Sequence, residues 1–142
     1  MKKPNLLIHI IPTLGNGGAE TVLARLVEEF YKIKINQYIF TISGSNTDFH
    51  YEKIKPFCEI IHLKKNKKRA FQILKSNQNS TLIGWMYRSF YLVYSYKVKF
   101  NLSKPIFWNV RNSNFRLFQF YQKIGLLFFG VLSKFVNPRI IY

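Results

Sequence analysis

The sequence predicts an α/β fold, a Rossmann-like doubly wound parallel sheet with residues 1–142 as one domain. Three observations predict it. Short apolar runs alternate with stretches of helical periodicity, as in repeated βαβ units. The first run, Leu6–Ile11, is apolar at every position but His9, which suits a strand buried on both faces. A glycine-rich corner, Gly15–Gly18, follows it and opens directly into the clearest helical pattern in the chain.

Taken in order, the elements are these. Leu6–Ile11 is a strand ended by Pro12. Ala19, Val22, Leu23, Leu26, Val27 and Phe30 recur at i, i+3, i+4 and i+7, so a helix lays one apolar stripe on the sheet, with Glu28 and Lys32 spaced to pair on its outer face. Gln37–Ser43 is a second strand and Gly44–Asp48 a loop. A short helix over Phe49–Lys55 is stopped by Pro56. Glu59–Leu63 is a third strand, and Lys67–Asn77 a helix with Ala70, Phe71 and Leu74 on one side. Thr81–Met86 and Pro105–Val110 are further strands. Between them, Tyr94–Phe100 alternates apolar and polar like a strand, yet a parallel crossover requires a helix, so Arg88–Phe100 is assigned as one. Arg116–Phe135 is a long helix and Arg139–Tyr142 a last strand.

Bulk composition narrows the function. Hydrophobic residues make up 48% of the chain, which excludes a disordered polymer. Formal net charge is +16; all six acids lie within the first 59 residues, and the 83 that follow carry 15 Lys or Arg and no acidic side chain. Such asymmetry favours an anionic partner, although an abundance of Lys, Asn, Ile, Phe and Tyr also fits a biased genome composition. Cys58 is the single cysteine, so no disulfide forms within the chain and a reducing, cytoplasmic compartment is expected. His9 and Pro12 interrupt the first apolar stretch, against a cleaved signal peptide. The strongest apolar run, Ile124–Ser133, is half the length of a membrane span.

The glycine corner is the most informative feature. A helix start leaves backbone amides without partners and carries partial positive charge, and glycines let an anion approach closely. Gly17, Gly18 and Ala19 hold those amides. A plain strand-to-helix turn whose glycines take positive φ accounts for the same spacing. A dinucleotide fingerprint is excluded because Glu20 stands at its third glycine and Ser43, Gly44 and Ser45 where its acid belongs. A P-loop is excluded because no Gly-Lys-Ser/Thr occurs. Glu20 suits the helix dipole and could also orient a ligand hydroxyl. His9, His50 and His62 are scattered, and Cys58 and His62, about 13 Å apart on a strand, do not share a metal. No metal site is expected.

With these residues in view, "LLIHIIPTLGNGGAETVLARLV" (Leu6–Val27) resembles the opening of GT-B fold glycosyltransferases of glycosyl transferase family 4, also called group 1. "GWMYRS" at Gly84–Ser89 and "FWNVRNSN" at Phe107–Asn114 resemble the same group, in the same order, each at a strand's carboxyl end. The resemblance spans essentially the whole chain. It implies the N-terminal, acceptor-side half of an enzyme moving a sugar from a nucleotide-diphosphate sugar to a glycan or lipid-linked acceptor, in polysaccharide or cell-envelope synthesis. The nucleotide sugar is then a substrate, and no cofactor is implied. Carried over, Gly17, Gly18 and Ala19 face the donor diphosphate, while Tyr87, Arg88, Arg111 and Asn112 line the acceptor cleft. Arg111 suits a phosphate or acidic sugar because guanidinium binds such groups bidentately; a solvated loop arginine is the plain alternative. Trp85 and Trp108 are expected to fill core rather than stack on sugar. Many members carry His where this chain has Arg88 and Asn112, and the resemblance names no catalytic residue here. The family's second, donor-binding domain with its paired glutamates has no counterpart in these 142 residues, so the chain is expected to be inactive alone, a fragment or one part of a split enzyme that pairs with a separate C-terminal-domain chain.

Other partners follow from the charge. Arg116–Phe135 carries two apolar stripes, one through Leu117, Phe120 and Ile124 and one through Phe118, Tyr121 and Phe128. The second needs a neighbour: an adjacent helix, the missing domain, or an anionic membrane surface, which implies peripheral attachment at the inner face of the plasma membrane. Lys64–Arg69 is expected as a solvated basic loop beside it. A nucleic-acid-binding module is the alternative function, but no RNA-recognition signature, zinc-finger spacing or helix-turn-helix occurs, and the aromatics sit at core-periodic positions.

Overall fold

The structure, a computed structural model, describes residues 6–109, 131 and 138–141. The expected helix over 116–135, the cleft residues Arg111 and Asn112, and strand ends Val110 and Tyr142 lie outside the described residues, Val131 excepted.

Six parallel strands form one sheet: β1 (Leu7–Ile11), β2 (Gln37–Thr41), β3 (Glu59–His62), β4 (Thr81–Trp85), β5 (Phe107–Asn109) and β6 (Arg139–Ile141). Their spatial order is β3-β2-β1-β4-β5-β6, the doubly wound order of Rossmann-like domains. In-register pairing places Ile10 beside Phe40 on one flank and beside Gly84 on the other. Thus β1 is central, and its carboxyl end adjoins that of β4 at the point where the winding reverses.

Helices cover both faces. α1 (Gly18–Lys32) and α2 (Tyr51–Ile54) pack one side, where Leu23, Ala24, Val27 and Ile54 meet Ile11, Ile39 and Trp85. α3 (Leu63–Ser76) and α4 (Tyr87–Lys99) pack the other, where Ala70, Leu74, Phe90 and Val93 meet Ile8, Ile10, Phe40, Ile61 and Leu82. Alternate residues of one strand therefore feed opposite cores, which is why the strands are apolar throughout. Each fully buried Ile, Leu or Phe contributes about 1.5–3 kcal/mol. Both tryptophans are core, Trp85 at 1% exposure and Trp108 at 2%, the latter stacked on Phe90 at 4.7 Å.

Three expectations are corrected. Leu63 opens a helix instead of ending a strand, and Lys64–Arg69 forms helical turns, exposed but not a loop. The helix is broken at Asn66 (φ −125°, ψ 38°), so its regular part runs from Lys67, where the apolar spacing of Ala70, Phe71 and Leu74 takes hold. The preceding turn starts where β3 ends and carries no apolar periodicity to reveal it. Strand β2 stops at Thr41, two residues short of Ser43, because Ser43 turns to bond Pro12 O through its amide at 2.9 Å. By contrast, α4 is a helix despite its alternating sequence. Phe90, Val93 and Tyr96 are buried at helical spacing, while Val98 is 63% exposed.

Candidate functional site

Helix α1 begins at the switch point. Gly17 is its N-cap in extended conformation (φ −126°, ψ 167°), and no side chain caps the helix. The first amide with a partner is that of Thr21, donating to Gly17 O at 2.9 Å. Amides of Gly18, Ala19 and Glu20 have no acceptor among the described residues, as the geometry of an uncapped helix start dictates. No described glycine takes positive φ, so backbone conformation does not require glycine at this corner. Packing explains only one of its glycines. A Cβ on Gly17 would collide with the Glu20 carboxylate, whereas a Cβ on Gly15 would make an ordinary 3.6 Å contact and one on Gly18 would meet nothing within 4 Å. Gly18 is exposed. Its missing side chain leaves its own amide open from outside.

The corner is held rigidly from its β2 side. Leu14 N donates to Asp48 Oδ2 at 2.8 Å, and His50 N donates to Leu14 O at 2.9 Å. Ser45 Oγ donates to the other Asp48 oxygen at 3.0 Å. The Thr21 hydroxyl donates to Gly17 O at 2.8 Å, so the 3.2 Å contact between Thr21 Oγ1 and His50 Nε2 has the imidazole as donor. Gly44 permits the approach: a Cβ there would lie 2.8 Å from Thr41 Oγ1 and 2.9 Å from Asp48 Oδ2. Farther along the rim, His62 Nε2 donates to Asn46 Oδ1 at 2.7 Å and its Nδ1 faces Thr41 Oγ1 at 2.7 Å. Burial lowers the affinity of both His50 and His62 for protons; Glu20 opposes the shift at His50 and Asp48 opposes it at His62.

Across the crevice, α4 repeats the arrangement. Its N-cap, Met86, adopts φ 65° and ψ 155°, a region that costs a non-glycine residue about 1–3 kcal/mol. Two bonds hold it: Met86 N donates to Asn109 O at 3.2 Å, and Ser89 N donates to Met86 O at 3.1 Å. No side chain caps this helix either. The Ser89 hydroxyl and Asn109 Oδ1 are buried with no hydrogen-bond partner among the described residues. Arg88 is exposed and makes no ion pair among the described residues. Tyr87 is half-buried and packs in part against the α3–α4 core. The start of α1, with Gly17, Gly18 and Ala19, and that of α4, with Tyr87 and Arg88, thus follow the carboxyl ends of the neighbouring strands β1 and β4.

Beneath the rim lies a closed polar chain. Trp85 Nε1 donates to His9 Nδ1 at 3.2 Å, His9 Nε2 faces Gln37 Oε1 at 3.4 Å, and Gln37 Nε2 donates to Val27 O at 2.9 Å. Burial pushes the His9 pKa down to about 4, so the ring is neutral and structural. The Cys58 thiol is pushed up to about 12 by burial, which leaves it protonated and a poor nucleophile. Among the described residues no three His, Cys, Asp or Glu side chains gather as metal ligands, and no helix is long and apolar enough to cross a membrane. A cavity of about 940 Å³ lies at the opposite, amino end of the sheet, bordered by Leu6, Tyr31, Tyr38, Phe57 and Asn77. No helix begins among its lining residues, whereas two helices begin at the carboxyl rim, which makes the rim the better candidate.

Sequence reasoning missed Thr41, His50, His62, Asp48 and the strained Met86. They come from three different strand ends and share no spacing; only the rule that parallel sheets bind at carboxyl ends pointed toward them. The class defined by fold and rim is a Rossmann-like α/β domain with two uncapped helix starts at its switch point. No protein-family model matches the chain, and no curated protein matches it.

Proposed function

We propose that this domain is the acceptor-side half of a GT-B glycosyltransferase, working on a nucleotide-diphosphate sugar and a glycan or lipid-linked acceptor. The observation that carries the proposal is the start of α1: three successive amides without acceptors at the switch point, beside a glycine whose side chain is missing for reasons of neither φ nor packing. Backbone amides at a helix start bind phosphate oxygens through directed hydrogen bonds and the helix dipole together. The α4 start across the crevice, with exposed Arg88, suits a second anionic or hydroxyl-bearing group. The resemblance of Leu6–Val27, Gly84–Ser89 and Phe107–Asn114 to family 4 supports assigning the ligand as a sugar nucleotide.

The substitution Gly18→Val separates function from stability. There is open space for the new side chain, so the melting temperature is expected to stay within a few degrees of the parent. The side chain would stand over the amides, so calorimetric titration with UDP-glucose and GDP-mannose is expected to show at least tenfold weaker binding of whichever nucleotide sugar the parent takes. Unchanged affinity in a folded Gly18→Val protein would contradict the assignment.

A further inference from the structure

Glu20 is 8% exposed and has no hydrogen bond or ion pair among the described residues. It stands at the third position of α1, and its side chain folds back over the N-cap. Its Cδ and Oε1 lie 3.0 and 3.4 Å from where a Cβ on Gly17 would be. An acid in the first helical turn commonly reaches back to bond the N-cap amide. Here it makes no such bond, although it occupies the place. The residue as a whole is nine-tenths buried, yet its carboxylate oxygens are not shut off from solvent and make no hydrogen bond among the described residues, so they remain able to accept one from a group arriving at the corner. The His50 imidazole, on which Glu20 acts electrostatically, directs its Nε2 to Thr21 Oγ1 and makes no hydrogen bond to the Glu20 carboxylate.

The corner therefore pairs opposite chemistries within one helical turn. Amides of Gly18 and Ala19 offer hydrogens to an anionic oxygen, while Glu20 offers lone pairs to a hydroxyl. A bare phosphate would meet the amides but be repelled by the carboxylate beside them. A phosphate ester carrying a hydroxyl on the neighbouring carbons would satisfy both. We propose that Glu20 is a specificity-determining residue that makes the corner selective for phosphate esters of polyols, sugar phosphates included, over phosphate alone. This rests on the phosphate-binding role given above to the same amides. It also fits Gly17, whose missing side chain leaves the Glu20 carboxylate where it lies.

The test uses the full chain, uniformly ¹⁵N-labelled, titrated with methyl phosphate and with glycerol 1-phosphate while the amides of residues 17–20 are followed. The parent is expected to bind glycerol 1-phosphate about tenfold more tightly than methyl phosphate, the scale of one hydrogen bond to a charged acceptor. Glu20→Ala is expected to bring that ratio close to one while tightening methyl phosphate several-fold. Glu20→Gln, which keeps the shape and one acceptor, is expected to fall between; it is the variant to rely on if the alanine protein loses its dispersed spectrum. If these amides respond but the ratio survives both substitutions, the role of Glu20 is overturned and phosphate binding stands. If neither ester moves the amides, phosphate binding itself fails and the selectivity with it.

Discussion

His9 illustrates how a single polar residue can be fixed in a parallel core. It interrupts an otherwise apolar strand, and it is tolerated because Trp85 supplies a hydrogen to one ring nitrogen and Gln37 accepts from the other. That arrangement exists only for the neutral ring. Above pH 6.5 neither the folded nor the unfolded chain protonates it. As pH falls from 6.5 toward 4, the unfolded chain takes up a proton that the folded protein refuses, so stability declines, and it levels off below the folded value of about 4. The difference of about 2.5 units corresponds to about 3 kcal/mol. His50 and His62 are shifted in the same direction and add to the slope. Urea denaturation at intervals between pH 8 and 4 should show the decline. His9→Leu should flatten it while lowering stability at pH 8, because the Trp85 hydrogen and Gln37 oxygen lose their partner; a slope unchanged by the substitution would mean that other groups dominate. From sequence, His9 was visible only as an oddity, since its partners lie 28 and 76 residues away.

At the scale of elements, the closest helix-to-sheet contact is at Gly84. A Cβ there would lie 2.9 Å from Val93 Cγ2 and 3.1 Å from Phe90 Cδ1, so α4 can sit this low on β4 only over a glycine. Gly84→Ala is expected to destabilise by about 1–3 kcal/mol through overpacking and to push α4 outward, weakening ligand binding at its N-terminus as well. A chemical denaturation midpoint equal to that of the parent would show that α4 yields freely. Elements with strong apolar spacing were legible in the chain: β1 and β4 match their expected spans within one residue, and α1 contains the whole periodic set from Ala19 to Phe30. Alternation misled at Tyr94–Phe100, where surface tyrosines and lysines mimic a strand, and topology alone corrected it. The first turn of α3 was illegible because it is basic throughout. Lys64 and Lys65 stand at a helix start with no acid nearby, the end where cations are disfavoured by about 0.3–1 kcal/mol each.

For the molecule as a whole, the strand order decides what the rim can do. The order β3-β2-β1-β4-β5-β6 makes β1 and β4 neighbours and starts α1 and α4 on opposite faces of one crevice. The alternation of elements implied a doubly wound sheet, and hence a site at carboxyl ends, before any coordinates. The candidate amides of Gly17–Ala19 followed from placing a helix start after the glycines, and their assignment to a phosphate from the resemblance. The hydrogen bonds behind them did not, because Asp48 and His50 reach Leu14 and Thr21 only after the chain has passed through α1 and β2. The opposite end of the sheet carries a cavity of its own, so a single comparison of the two ends is decisive. Amide shifts of the ¹⁵N-labelled chain on adding inorganic pyrophosphate measure it directly. Saturable shifts largest at Gly18, Ala19 and Glu20, with lesser ones at Tyr87 and Arg88 and none at Tyr38 or Asn77, are the predicted result. Shifts centred on the amino-end cavity, or spread evenly over the lysine surface with those helix starts unmoved, would contradict it.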